Sequence, residues 1–369
     1  MNSLKLWIIY SYILLLTSAQ PESNFFNSIK SWPREIQDAV SMMASKDTER
    51  YNCSGKSQSE WMETGQVKIG WGIYYISAGM FFQLIGWPVL IIFLRFNTTD
   101  QHLKVYRLLF FIGLVGVTEV WGNSLWPGVS LLIGSVFCTS RFSTTFFGKL
   151  TMVQWLLGST SAIYLGLHRL FDLFNGKDWL MNSHTNMICW LSLFAVYSLY
   201  GSLFYDTVLY NSRYMAPLLN PMIDPESTNY SNNFLRYHNI VVSAASVLIY
   251  SCIAVIWKKR EHVVSSVSVT KFQKNILWQF IIVSMTYAVP ATSFALMYFI
   301  PNPPTWFLLF ADLSYQLSGG LPFIMYIGLN KHVRNELLQL FRDIRNCHFS
   351  KKHTTKVIKI SAISVAVPS

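Results

Sequence analysis

Three ionisable side chains stand inside long apolar runs: Glu119, Lys149 and Asp312. A charge within hydrocarbon is costly, so such residues pair with one another or face a water-filled cavity. All three fall toward the outer end of their runs, where they suit the lining of a ligand cavity open to that side. Lys149 would then pair with Glu119 or Asp312. The alternative is that Lys149 reaches the membrane surface along its own stem and neighbouring hydroxyls satisfy the acids. Catalytic chemistry finds no support. The chain has no His-Glu-x-x-His, no Gly-x-Ser-x-Gly, no phosphate loop and no paired intramembrane aspartates. His168, His184 and His238 are scattered rather than set at metal-ligand spacing. Neither a metal, a cofactor nor an enzyme is expected.

The elements that must position these residues are membrane helices. Of 369 residues, 52% are hydrophobic and 13% charged, with a mean hydropathy of +0.32. Soluble domains carry roughly 25% charged residues. Seven apolar segments are long enough to span a bilayer as helices: about 69–94, 105–125, 145–171, 186–205, 239–257, 276–300 and 306–329. Pro127-Gly128 predicts a break after the second, with the apolar remainder forming an outer loop. Leu6 to Leu16 is too short to span. With Lys5 before it and small residues after, it predicts a signal peptide over 1–19 or, alternatively, an uncleaved anchor. Residues 20–68 form a polar extracellular segment, 69–330 the bundle and 331–369 a tail. The fold class is an all-α seven-transmembrane bundle.

Charge orients the bundle. Lysines and arginines crowd the odd-numbered loops and the tail, while the opposite loops hold few. The N-terminus is therefore outside and the C-terminus in the cytoplasm. The net charge of +11 belongs to these inner edges, which removes nucleic acid as a partner. Asn52 and Asn229 head N-glycosylation triplets on the outer side, and Asn97 heads one on the inner side, where it stays unmodified. Cys53 and Cys138 are the all-extracellular pair open to a disulfide. Cys189 and Cys252 fall in spans and read as small packing residues. Cys347, just past the bundle on the inner side, is a position for palmitoylation. Val333, Leu337, Leu340, Phe341 and Ile344 recur at helical spacing among arginines, predicting an amphipathic helix along the inner membrane face. Trp126, Tyr287 and Trp306 read as interfacial belt aromatics, and Pro290 and Pro322 as kinks in the sixth and seventh spans. A transporter or channel is the competing class. No repeat divides the chain, however, and seven spans do not make equal halves.

Particular residues carry a resemblance. They are Tyr51-Asn52-Cys53-Ser54, Glu60-Trp61, Gly65 and Gly72 before and within the first span, and Cys138, Gly148 and Trp155 into the third. Leu167-His168-Arg169 stands at the inner end of the third, and Pro322 to Tyr326 with Asn330 at the end of the seventh. In order and spacing, over about 50–345, these resemble the nematode serpentine receptor class T chemoreceptors, within the rhodopsin-like group of G-protein-coupled receptors. His168 and Arg141 depart from the family pattern. The resemblance implies a chemosensory receptor in the plasma membrane, with sensory cilia as a location. It implies a small-molecule or peptide ligand and a heterotrimeric G protein as partners. His168, Arg169, Pro322, Tyr326 and Asn330 would form the switch that couples to the G protein. A receptor-like scaffold that does not signal is the alternative within this class.

Overall fold

A computed structural model describes residues 31–95, 104–173, 184–224, 230–261, 267–300 and 303–345. The signal-peptide segment, Asn97, Asn229 and Cys347 lie outside the described residues. Two short helices precede the spans: α1, Arg34–Met43, and α2, Gln58–Thr64. A reciprocal cap starts α2. The Glu60 amide donates to Ser57 Oγ and the Ser57 amide to Glu60 Oε2.

The first span is α3, Ile69–Arg95. The second comprises α4, Lys104–Val120, a π turn at Trp121–Leu125, and α5, Trp126–Ile133. The third is α6, Arg141–Leu173, and the fourth α7, His184–Phe204. A β hairpin follows, β1 Leu209–Asn211 against β2 Ala216–Leu218, with Tyr210 opposite Pro217. The last three spans are α8, Asn233–Glu261, α9, Val267–Met297, and α10, Thr305–Leu329. The amphipathic α11, Lys331–Arg345, ends the described chain.

Five of the described helices are long and apolar enough to cross a membrane on composition alone. The sixth span has a shorter apolar stretch, Ile281–Met297. The seventh buries Asp312, Ser314, Gln316 and Ser318 within the bundle, which makes it a less apolar crossing. Its polar groups face protein, not lipid, and this lets the span remain in the bilayer.

The second span does not break at Pro127-Gly128. The Trp126 amide reaches back to the Trp121 carbonyl, closing a widened π turn. Pro127 therefore stands in the first turn of α5, where a missing N–H costs little. The helix runs on to Gly134, whose left-handed backbone (φ 68°) ends it. Through this extension Gly128 meets Gly72 of the first span. A Cβ on either would lie 3.0 Å from the other's carbonyl oxygen, so only glycines let these two backbones touch.

Phe93, Leu156, Leu165, Tyr287, Phe323 and Tyr326 meet in the central core. Tyr287 is 1% exposed and packs near Trp155, at 6.2 Å between ring centroids. It is a core residue and not a belt aromatic, whereas Trp306 is 69% exposed. Cys189 and Cys252 are exposed on the outside of the bundle, so they do not pack the core as expected.

The chain leading into the hairpin presses on the third span at Gly148, where a Cβ would sit 2.0 Å from the Val208 carbonyl oxygen. A backbone carbonyl cannot turn aside as a flexible side chain can. Gly148→Ala is therefore expected to lift the hairpin and cost about 1–3 kcal/mol. Thermal unfolding of the purified protein measures this, and an unchanged melting temperature would contradict it.

Candidate ligand-binding site

The hairpin roofs a cavity of about 220 Å³ between the third, fifth, sixth and seventh spans. Its walls include Met152 and Trp155 of α6, Asn239 of α8, Phe294 of α9 and Leu308 of α10, with Pro217 above. Trp155 is the hub. Its ring meets Tyr315 edge-on at 5.1 Å and Phe294 at 5.9 Å, and its indole N–H donates to Asn239 Oδ1 at 2.9 Å. The cavity's polar side chains are Asn239 and the hydroxyls of Thr151, Tyr298 and Tyr315, with no carboxylate among the lining residues. Most of the lining side chains are apolar or aromatic. The roof is pinned locally: the Ser212 amide donates to the Ser135 carbonyl and the Arg213 amide to Asn211 Oδ1.

None of the three buried charged residues lines this cavity. Asp312 borders a smaller adjoining pocket, which shares Thr151 and Tyr315 with the larger one. The Tyr75 hydroxyl donates to Asp312 Oδ2 at 2.5 Å, and Ser318 Oγ to Glu119 Oε2 at 3.3 Å. Gln316 Nε2 donates to Ser124 Oγ, which donates to the Tyr75 carbonyl. Together they make a polar seam between the first, second and seventh spans. Lys149 is not part of it and pairs with neither acid. Its ammonium donates to the carbonyls of Ser202 (2.5 Å) and Tyr205 (3.0 Å). Those carbonyls lie at the C-terminal end of α7, where helix oxygens lack internal partners and the helix dipole favours a cation. Trp126 also departs from its belt assignment. It stacks on Phe147 at 5.2 Å and lines the smaller pocket.

At the end of the bundle that carries the hairpin, residues 31–68 fold into a cap. Cys53 and Cys138 are joined by a disulfide, with Cα atoms 5.7 Å apart. The Trp61 indole donates to the Cys53 carbonyl, and Lys68 Nζ to the Arg213 carbonyl. Arg50 lies at the centre. Its guanidinium takes both Asp206 oxygens, at 3.0 and 2.5 Å, and Asp38 Oδ2 at 3.4 Å. It also lies 5.5 Å from the ring centre of Tyr51 and 5.2 Å from that of Tyr230, whose hydroxyl donates back to the Arg50 carbonyl. Burial opposes the Arg50 cation, yet the Asp206 hydrogen bond and its neighbours hold its pKa above the ordinary value. Burial pushes the Asp38 carboxyl up, and Thr48 and Arg50 only partly offset it. Asn52 is exposed beside the disulfide. Its side-chain oxygen accepts from the Ser54 amide and hydroxyl, a local turn that leaves its nitrogen toward solvent.

At the opposite end of the bundle, His168 is buried and Arg169 half-buried on the third span. Tyr326 is buried on the seventh, edge-on to Phe93 at 5.2 Å and close enough to feel the Arg169 charge. Pro322 is buried within α10. Asn330 stands between α10 and α11. Its Oδ1 accepts the amides of His332 and Val333 and so starts α11. Val333 and Leu340 of α11 are buried, while Phe341 is exposed.

Sequence reasoning missed the cavity residues Asn239, Phe294 and Leu308. They sit on separate spans, and no local spacing links them. It also missed Arg50, one charge among many in a polar segment.

The comparisons agree with this geometry. The sequence pattern described as "Serpentine type 7TM GPCR chemoreceptor Srt" matches residues 39–349. The chain is 51% identical over 339 residues to "Serpentine receptor class T-55" of Caenorhabditis elegans, covering 92% of each chain. The crystal structure of squid rhodopsin is similar in fold, with a TM-score of 0.53 at 14% identity, over 83% of this chain and 95% of that one.

Proposed function

The chain belongs to the Srt family of serpentine seven-transmembrane chemoreceptors, and from that premise we propose where it takes its ligand and how it passes the signal on. It is a multi-pass membrane receptor of the G-protein-coupled type. The cavity under the hairpin takes a small apolar ligand. One observation carries this reading: its walls come from four different spans. A ligand touching all of them binds some arrangements of those spans better than others, which is what a receptor needs to shift its population. The polar seam of Asp312 and Glu119 adjoins the site and answers to it. Arg169, near Tyr326, is the point where the third and seventh spans meet the G protein. The receptor sits in the plasma membrane with its N-terminus outside and its tail inside, supported by the basic residues at the inner ends of the spans. Asn52 and Asn229 carry sugar, residues 1–19 are removed, and no bond is made or broken in the ligand.

The test is expression beside a promiscuous G protein, with small apolar molecules screened for a calcium response. Arg169→Ala is expected to abolish the response while surface display stays normal. A variant that responds like the parent would remove Arg169 from coupling. A tag on Ser369 readable from outside intact cells would reverse the orientation.

A further inference from the structure

Asn239 is 1% exposed and lines the cavity. It lies about 9 Å below the start of α8, from a rise of 1.5 Å per residue. The indole of Trp155 can only donate, so Asn239 must present its oxygen to it. The amide orientation is thereby decided by chemistry, and the NH2 group turns away from Trp155. Among the described residues, that NH2 meets no acceptor. The hydroxyls of Thr151 and Tyr298, also at the wall, rotate and serve as donor or acceptor alike. They do not discriminate between ligands. A fixed donor does, because an apolar ligand covering it leaves it without a partner, and a ligand with an acceptor at that place does not.

Resting on the cavity being the ligand site, we infer that Asn239 selects ligands that carry a hydrogen-bond acceptor, such as the carbonyl of a small ketone, aldehyde or ester, on an otherwise apolar frame. Trp155 is the positioning residue that holds the amide in its selective orientation. The preference lies in the chemistry of one wall position and not in ligand size.

The experiment uses the full chain in lipid nanodiscs and three probe series of matched length: methyl ketones, the corresponding secondary alcohols and the corresponding hydrocarbons. Ligand-dependent thermal stabilisation reports affinity. Ketones are expected to bind at least about tenfold more tightly than their hydrocarbons. Asn239→Leu combined with Trp155→Phe removes both partners, so neither is left orphaned, and should bring the ketone-to-hydrocarbon ratio near one. Trp155→Phe alone frees the amide to turn over and present its oxygen, and alcohols should then gain on ketones. A ketone preference that survives the double substitution overturns the proposal, as does a native protein that binds hydrocarbons as well as ketones or none of the three series. Leu308→Trp separates the two readings. It fills the cavity and should weaken all three series together. If ketones keep their affinity there, the cavity is not the ligand site and the parent reading fails as well.

Discussion

Arg50→Ala is expected to cost about 3–5 kcal/mol, because it strands two buried carboxylates. The side chains of Arg50, Asp38 and Asp206 are 10%, 8% and 9% exposed, so water screens them little. Asp206 lies just past the fourth span and Asp38 in α1, so Arg50 ties the cap to the bundle. Arg50→Lys should recover only part of the loss, since an ammonium lacks the planar fork that makes two parallel bonds to Asp206 and lies flat against Tyr51 and Tyr230. The effect has a sign in pH. The folded protein holds the Asp38 proton more tightly than the unfolded chain does, because burial raises that carboxyl. Stability from this group is therefore present at acid pH and falls as pH rises through the raised value. Removing Arg50 takes away a charge that lowers it, so the fall extends further upward. The deficit of Arg50→Ala should be smallest near about pH 4 and grow toward neutrality. Thermal unfolding across that range, with protease cleavage of residues 31–68 as a local readout, decides the matter. A deficit that is flat in pH would place the cost elsewhere.

Cys53→Ser and Cys138→Ser should each lower surface delivery severely, and together no further. The two lie 85 residues apart in sequence. Constraining a loop of that length in a free chain would stabilise by more than 4 kcal/mol. Here the loop holds the first two spans, which stay helical in the bilayer. The freely jointed length is shorter, and about 2–3 kcal/mol is the better figure. Losses that simply add would mean the two cysteines act separately. The disulfide and Arg50 anchor opposite ends of one short segment, so either variant should sensitise the cap to the other.

The spans were legible because a bilayer demands length and apolarity, and both can be counted in sequence. The amphipathic α11 was legible for a similar reason, since Val333 and Leu340 recur on one face. What escaped were features depending on contact between distant segments. Lys149 shared a depth with Glu119 and Asp312, but depth does not report which way a helix face turns, and its face turns to α7. Tyr287 looked interfacial by its height in the sixth span and proves central by its rotation. Asn239 becomes interesting only beside Trp155, 84 residues earlier. Pro127 misled because its usual meaning, a stop, is cancelled by the π turn before it.

That turn has a wider consequence for the outer half of the molecule. One residue more than a regular helix holds shifts everything beyond it by about 100° around the axis. Gly128, and with it the approach to Cys138, points where it does because of this added phase. Deleting a single residue between Trp121 and Leu125 would regularise the helix and swing Gly128 toward the lipid. The strand of chain carrying Cys138 would be wound away from its partner, so a loss of one residue deep in the second span would be felt as a detached lid.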